Sequence, residues 1–295
     1  MRRNFVTLDV FTAQRLAGNP LAVVLDSQGL DTAAMQAIAR EFNLSETVFV
    51  QPPQAGGRAK IRIFTPGREL PFAGHPTVGT AVLLALRDNK GAAAFVLEEE
   101  VGPVTCKVAP SDAVSGYARF DLPRLPETVG DMSDPVAYAR AVGLGDSDIG
   151  GLAPGIWSGG VPFAYLPVRS RDAVARARGD AALLERAAGS QNPKSIFVFC
   201  RETTEARHHF HARMFAPGFG IPEDPATGAA VAGFAGLLAA HEKLPDGEHE
   251  FFIEQGYEMG RPSVIRLFLM MRGGALAAAA IGGEAIVFSE GTIDA

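Results

Sequence analysis

Hydrophobic and polar positions follow three patterns along the chain. From Ala59, one side of the run takes Ala59, Ile61 and Ile63 and the other takes Lys60 and Arg62. That period of two predicts a half-buried strand. Val48-Phe49-Val50 and Ile196 to Cys200 are short apolar runs of strand length. After Asp31 the apolar residues Met35, Ile38 and Phe42 recur at helical spacing, which predicts an amphipathic surface helix with Asp31 as its N-cap. The segments following Pro76 and Pro225 match neither period. Val78 to Leu86 and Ala229 to Ala240 are apolar or small almost all round, as in a helix buried on every side. Most of the remaining pattern reads as strands. The expected architecture is therefore α+β, with a curved sheet or barrel around one central helix in each half.

The two halves echo each other. Ile61-Arg62-Ile63-Phe64-Thr65-Pro66-Gly67 returns as Ala212-Arg213-Met214-Phe215-Ala216-Pro217-Gly218. Pro71 then parallels Pro222, and His75-Pro76-Thr77-Val78-Gly79 parallels Asp224-Pro225-Ala226-Thr227-Gly228. Earlier landmarks keep the same order: Asn19 to Ala22 with Val161 to Ala164, the helix at Asp31 with one starting at Asp180, and Thr47 to Val50 with Ser195 to Val198. Several matches in register predict two copies of one unit. The expected pseudo-symmetric domains are 1–125 and 126–295, with return of the terminal strand to the first domain left open. The join falls in the Pro-, Gly- and Asp-rich stretch Pro123 to Gly151.

Composition narrows the functional classes. With 295 residues, 47% of them hydrophobic, each half can bury a core. The net charge of −6 and the lack of a basic tract argue against nucleic acid as a partner. No apolar run approaches the ~18 residues that a membrane helix needs, and Asp9 interrupts the first apolar stretch; a cytoplasmic setting is expected. Cys106 and Cys200 sit in or at the end of strand-like runs and read as reduced, partly buried thiols. His208-His209-x-His211 has a metal-like look, but it opens a strand in which His209, His211 and Arg213 would share a solvated polar face. The chain carries no Walker loop, G-x-G-x-x-G, G-x-S-x-G or H-E-x-x-H motif. No metal and no cofactor is expected.

The chemistry gathers at the two buried helix starts. A helix start leaves backbone N–H groups unpaired and so makes an anion site. Gly74, Gly79, Gly228 and Ala229 would let a ligand approach the backbone there. Asp224 stands where an N-cap belongs, which is reason enough for an aspartate. His75 holds the matching place in the first copy, is a poor cap, and titrates near neutrality. Glu46 precedes the apolar strand at Val48; it is either a solvated loop residue or a carboxyl carried into an apolar setting, where it could act as an acid or base near pH 7.

Asp9-Val10-Phe11, Gly18-Asn19-Pro20-Leu21-Ala22-Val23, Asn43-Leu44-Ser45-Glu46-Thr47, Gly74-His75-Pro76-Thr77, Glu223-Asp224-Pro225-Ala226-Thr227-Gly228 and Gln255-Gly256 with Gly260-Arg261-Pro262 together resemble the phenazine-biosynthesis PhzF-like family, which has the diaminopimelate-epimerase-like fold. The resemblance implies a homodimeric, cofactor-independent isomerase. Glu46 would shuttle a proton between carbons, His75 and Asp224 would assist, and Gly74, Thr227, Gly228 and Ala229 would help to bind a small carboxylated substrate. Ala229 replaces the serine of the phenazine isomerase, so a hydroxyl contact is missing. The related racemases carry a thiol at each helix start, where this chain has Ala73 and Thr227. Two other functions fit the scaffold: an epimerase with non-thiol bases, and a metabolite-binding protein without turnover.

Overall fold

The computed structural model describes residues 1–89 and 91–295, and the chain divides into two compact units, Met1–Pro123 with Gly282–Ala295, and Arg124–Ile281. The first contains β1 (Arg2–Val10), β2 (Asn19–Val24), α1 (Thr32–Phe42), β3 (Glu46–Gln51), β4 (Ala59–Phe64), β5 (Glu69–Leu70), α2 (Gly74–Asp88), β6 (Ala93–Glu99), β7 (Gly102–Pro110) and β8 (Ser115–Asp121). The second contains β9 (Glu127–Gly130), α3 (Pro135–Ala141), β10 (Gly155–Ser158), β11 (Pro162–Pro167), α4 (Arg171–Arg176), α5 (Ala181–Ala188), β12 (Ile196–Cys200), β13 (Phe210–Ala216), β14 (Ile221–Asp224), α6 (Gly228–His241), β15 (Gly247–Gln255) and β16 (Ser263–Arg272). β17 (Ala275–Asp294) starts in the second unit and continues in the first, where it pairs with the full length of β1. The stretch read as a join holds β9 and α3 of the second unit.

The strands pair in the same way in both units. β1–β2 are antiparallel, β2–β3 parallel, β3–β4 and β4–β5 antiparallel, β4–β6 parallel and β6–β7 antiparallel. β10–β11, β11–β12, β12–β13, β13–β14, β13–β15 and β15–β16 repeat that series. The fold is therefore α+β, with two copies of a sheet curved around one helix. α2 packs on β1, β2, β3, β6, β7 and β8, and every residue from Gly74 to Ala85 is buried. α6 packs on β9, β10, β11 and β16. Such enclosure matches helices apolar on all sides. Close packing requires small residues where helix meets strand: a Cβ at Gly79 would come within 2.7 Å of both Leu21 and Val10.

Pairing register corrects the sequence alignment of the two copies. Ile63 lies opposite Leu70, and Met214 lies opposite Asp224. Asp224 thus corresponds to Leu70, and Ala73 to Thr227, while His75 corresponds to Ala229. Both hairpins turn over four residues, but a register shift between Met214 and Ala216 sets Asp224 ten residues from its partner Met214, against seven from Ile63 to Leu70, so the motifs after the two prolines are out of step by three. The helix starts move accordingly. α2 begins at Gly74 with N-cap Ala73, and α6 begins at Gly228 with N-cap Thr227. Asp224 is the last residue of β14, and the N-cap position of α6 belongs to Thr227 instead. Thr47 and Ile196 face Phe64 and Phe215 across their respective pairs, which shifts that match by one residue as well. The predicted N-caps Asp31 and Asp180 do cap α1 and α5, accepting from the amides of Ala34 and Leu183.

Candidate active site

Glu46 owes its place to the end of α1. Asn43 adopts a left-handed conformation, φ 50°, and its N–H returns to the Ala39 carbonyl. Asparagine tolerates that conformation, so the helix stops there. Three residues later β3 begins with Glu46, paired in register with Leu21. His75 lies in the first turn of α2, with its side chain only 5% exposed. The ring is hydrogen-bonded to the carbonyl of Pro20 on β2, and Nε2 sits 3.3 Å from Oε2 of Glu46, whose side chain is 13% exposed. Burial outweighs the Pro20 bond and lowers the His75 pKa to about 3. The imidazole is therefore neutral at pH 7. With one ring nitrogen donating to Pro20, the nitrogen facing Glu46 is the acceptor. A carboxyl beside a neutral acceptor can exchange a proton without forming a fixed ion pair.

The second unit holds a different arrangement at its helix start. Thr227 Oγ1 donates to Oδ2 of Asp224 at 2.6 Å. Gln255, the last residue of β15, spans the turn: its Nε2 donates to Thr227 Oγ1 at 2.9 Å and to the Asp224 carbonyl at 2.7 Å, while its Oε1 accepts from the Thr227 amide at 3.0 Å. Asp224 and Thr227 are brought together, both largely buried. Neither N-cap residue, Ala73 of α2 nor Thr227 of α6, makes a side-chain capping bond of its own. Gly74 and His75 occupy the first turn of one helix, Gly228 and Ala229 that of the other.

The phenazine biosynthesis-like protein family matches residues 8–291 of the chain. The chain belongs to the PhzF family. It is 50% identical to an uncharacterized isomerase of Mesorhizobium japonicum, over 99% of this chain and 98% of that one. It is 36% identical to the trans-2,3-dihydro-3-hydroxyanthranilate isomerase of Pseudomonas fluorescens, over 98% and 99%. The crystal structure of a PhzF-family phenazine biosynthesis protein from Bacillus anthracis superposes with a TM-score of 0.89 at 27% identity, covering 100% of both chains. The fold is accordingly diaminopimelate-epimerase-like, and the chain is an isomerase of the PhzF family.

Other groups in this PhzF-family chain have structural partners. The solvated face expected of His209, His211 and Arg213 does not form: His211 and Arg213, on β13, are buried, and His209, just before the strand, is half-buried. β13 lies between β12 and β15 and is buried along its whole length, so neither side can be polar and wet. His211 Nδ1 contacts Glu254 at 2.7 Å and its Nε2 contacts Glu258 at 2.9 Å, while His208 Nδ1 meets Glu254 at 2.8 Å. Burial pulls the His211 pKa down, but the bonds to Glu254 and Glu258 outweigh it and leave it raised. Cys106 and Cys200 are buried in strands, and burial raises both thiols, Cys200 to about 12. A cavity of about 600 Å³ opens beside β4, β5 and β6, lined by Lys60, Arg62 and Glu69 among others and touched by neither Glu46 nor His75. Two residues at the helix starts escaped sequence reasoning. Gln255 stood out only as part of a motif, and Glu99 was hidden in the acidic run Glu98-Glu99-Glu100. Counting by twos from Leu97, which is fully buried, would have pointed Glu99 inward.

Proposed function

We propose that this PhzF-family isomerase moves a proton between two carbons of a small carboxylated substrate, without a cofactor, using Glu46 as the general acid/base. The observation that carries this reading is the 3.3 Å approach of neutral His75 to Glu46. Glu46 as carboxylate takes a proton from one carbon. The electron pair left behind delocalises toward the substrate's acid group, and the protonated Glu46 returns the proton to a second carbon. Atoms and electrons balance within the substrate, so the net change is an isomerisation. His75 accepts a hydrogen bond from the protonated carboxyl during that interval. Backbone amides in the first turns, at Gly74 and His75 and at Gly228 and Ala229, are suited to hold a carboxylate or oxyanion. Asp224, held by Thr227 and Gln255, is the assisting acid that this reading takes from the second unit. The name of the Pseudomonas fluorescens relative supports a hydroxylated, amino-substituted ring acid as the substrate class. Ala229 cannot supply a side-chain hydroxyl, which favours a substrate differing at the group that would meet it. A homodimeric, cytoplasmic enzyme belongs to the same reading.

The test is proton NMR in heavy water with trans-2,3-dihydro-3-hydroxyanthranilate and a panel of related ring acids. Isomerised product is expected for at least one compound. Glu46→Gln should cut turnover roughly 100-fold or more, the usual scale of general acid/base catalysis, with a far smaller change in dissociation constant. Turnover within a few-fold of wild type would remove Glu46 from the reaction. Inverted chirality at a single carbon, without migration of a double bond, would instead identify an epimerase.

A further inference from the structure

The Thr77 hydroxyl, one turn into α2, makes two contacts with oxygen. Oγ1 lies 2.8 Å from the Ala73 carbonyl and 2.8 Å from Oε1 of Glu99 at the end of β6. A hydroxyl has one proton and a carbonyl can only accept. If the threonine proton goes to Ala73, the second contact is a hydrogen bond only when the carboxyl is the donor. The reverse assignment would leave Oγ1 and the Ala73 oxygen facing each other at 2.8 Å with no proton between them. Glu99 is 7% exposed, and among the described residues its Oε2 has no hydrogen-bond partner. An ionised carboxylate there would keep a desolvated charge without compensation.

The repeat supplies an independent argument. Lys60 pairs with Glu98 and His211 pairs with Glu254 across the equivalent parallel strands, so Glu99 corresponds to Gln255. Glu98 and Glu254 do the same work, each accepting backbone amides of the loop before the neighbouring strand. At the next position the second unit uses a neutral amide that donates and accepts at the helix start. A protonated carboxylic acid has the same pair of functions.

We propose that Glu99 is a positioning residue, held as a neutral carboxylic acid, that clamps the first turn of α2 and through it His75. The charged and titratable groups around it are otherwise committed. On α2, His75 faces Glu46 and Asp88 pairs with Arg58; on β4, Lys60 bonds Gln54 and Arg62 bonds Glu69 of β5. Across from β6 lies the buried Cys106 thiol of β7, with Asp121 of β8 near it; on its own strand Glu98 holds the loop amides, and Glu100 lies near Arg62. Burial pushes the Glu99 pKa up to about 8. A carboxyl raised in the folded state stabilises fully below its unfolded pKa of 4.5, and that contribution is lost as pH climbs through 8. The clamp therefore sets an alkaline limit on the helix start.

Infrared spectroscopy of the whole chain labelled with 13C-glutamate tests this without any substrate. The wild type should show a protonated-carboxyl band at about pH 7 that fades toward about pH 9. Glu99→Gln should lack the band and should lose the decline in thermal stability over the same range. Thr77→Val should shift the band's frequency by removing its partner, which secures the assignment even if Glu99→Gln fails to fold. Absence of the band, or a band indifferent to both substitutions, would overturn the proposal. The effect on catalysis alone rests on the isomerase reading: on trans-2,3-dihydro-3-hydroxyanthranilate, Glu99→Gln should keep kcat within a few-fold and extend the alkaline limb of the pH profile. Failure of wild type to turn that compound over would count against the isomerase reading, while the band would still decide this one.

Discussion

His75 shows how burial sets the chemistry of a single residue. Free in water the ring would titrate near 6.5, yet in the fold its pKa falls to about 3. The unfolded chain then takes up a proton below pH 6.5 that the folded chain refuses, so stability is complete above 6.5 and falls as pH drops toward 3. Each unit of separation is worth about 1.4 kcal/mol at most. Urea unfolding near neutrality and near pH 4 should show this loss in wild type and a shallower one in His75→Gln; equal slopes would mean that the ring takes up a proton inside the fold. Other acids titrate in the same window, which is why the difference between the two proteins is the quantity to measure. Glu46, His75 and Asp224 are candidates from the sequence because each stands beside a strand or helix start and in a motif that resembles the PhzF family's. Their partners could not be read there. Pro20, which accepts from the His75 ring, is more than fifty residues away in the chain, and the roles of Thr227 and Gln255 around Asp224 depend on β15 lying beside β13.

At the level of elements, the repeat allows an internal comparison. Arg62 on β4 binds Glu69 on β5, and Arg213 on β13 binds Glu223 on β14. The two pairs are equivalent, but their surroundings differ. Arg62 and Glu69 are 21% and 26% exposed, whereas Arg213 is 3% exposed. Arg213 also donates through Nη1 to the carbonyls of Val174, Ala175 and Ala177, so it ties down the C-terminal end of α4. Removing one partner of a buried pair leaves the other charge and its acceptors unsatisfied. Arg213→Ala should cost about 3–5 kcal/mol, and Arg62→Ala about 1 kcal/mol or less, as measured by denaturant midpoints. Similar costs would mean that exposure does not govern these pairs. Both arginines appear in the sequence echo, but nothing in their local pattern separates the surface pair from the buried one. The difference comes from α4, a helix of six residues, too short to announce itself by periodicity.

On the scale of the molecule, the chain closes its first unit with its last strand. Residues from Gly282 onward belong with Met1–Pro123, and β17 pairs with β1 from Arg2 to Val10 with one irregularity after Thr7. A chain ending at Ile281 would leave β1 paired on one side only and expose Val6, Leu8 and Val10, which are fully buried. Such a truncation should abolish cooperative unfolding of the first unit and promote aggregation through the open edge. Circular dichroism and sedimentation of the truncated protein would test this; a soluble product with native-like melting would show that β17 is dispensable.

Periodicity, capping residues and internal repetition were enough to determine the α+β class, two copies of one unit, a buried helix in each, and Glu46, His75 and Asp224 as residues to examine. These signals are local: a strand alternates and a helix declares its start within a few neighbouring residues. The true helix starts at Gly74 and Gly228, the correspondence of His75 with Ala229 rather than Asp224, the burial of His211 and Arg213 on β13 and the inward aim of Glu99 were decided only by tertiary structure. Each depends on which strand hydrogen-bonds to which and in what register. A shift of one residue in a strand turns every side chain to the opposite face, and that choice is made by partners far away in the chain.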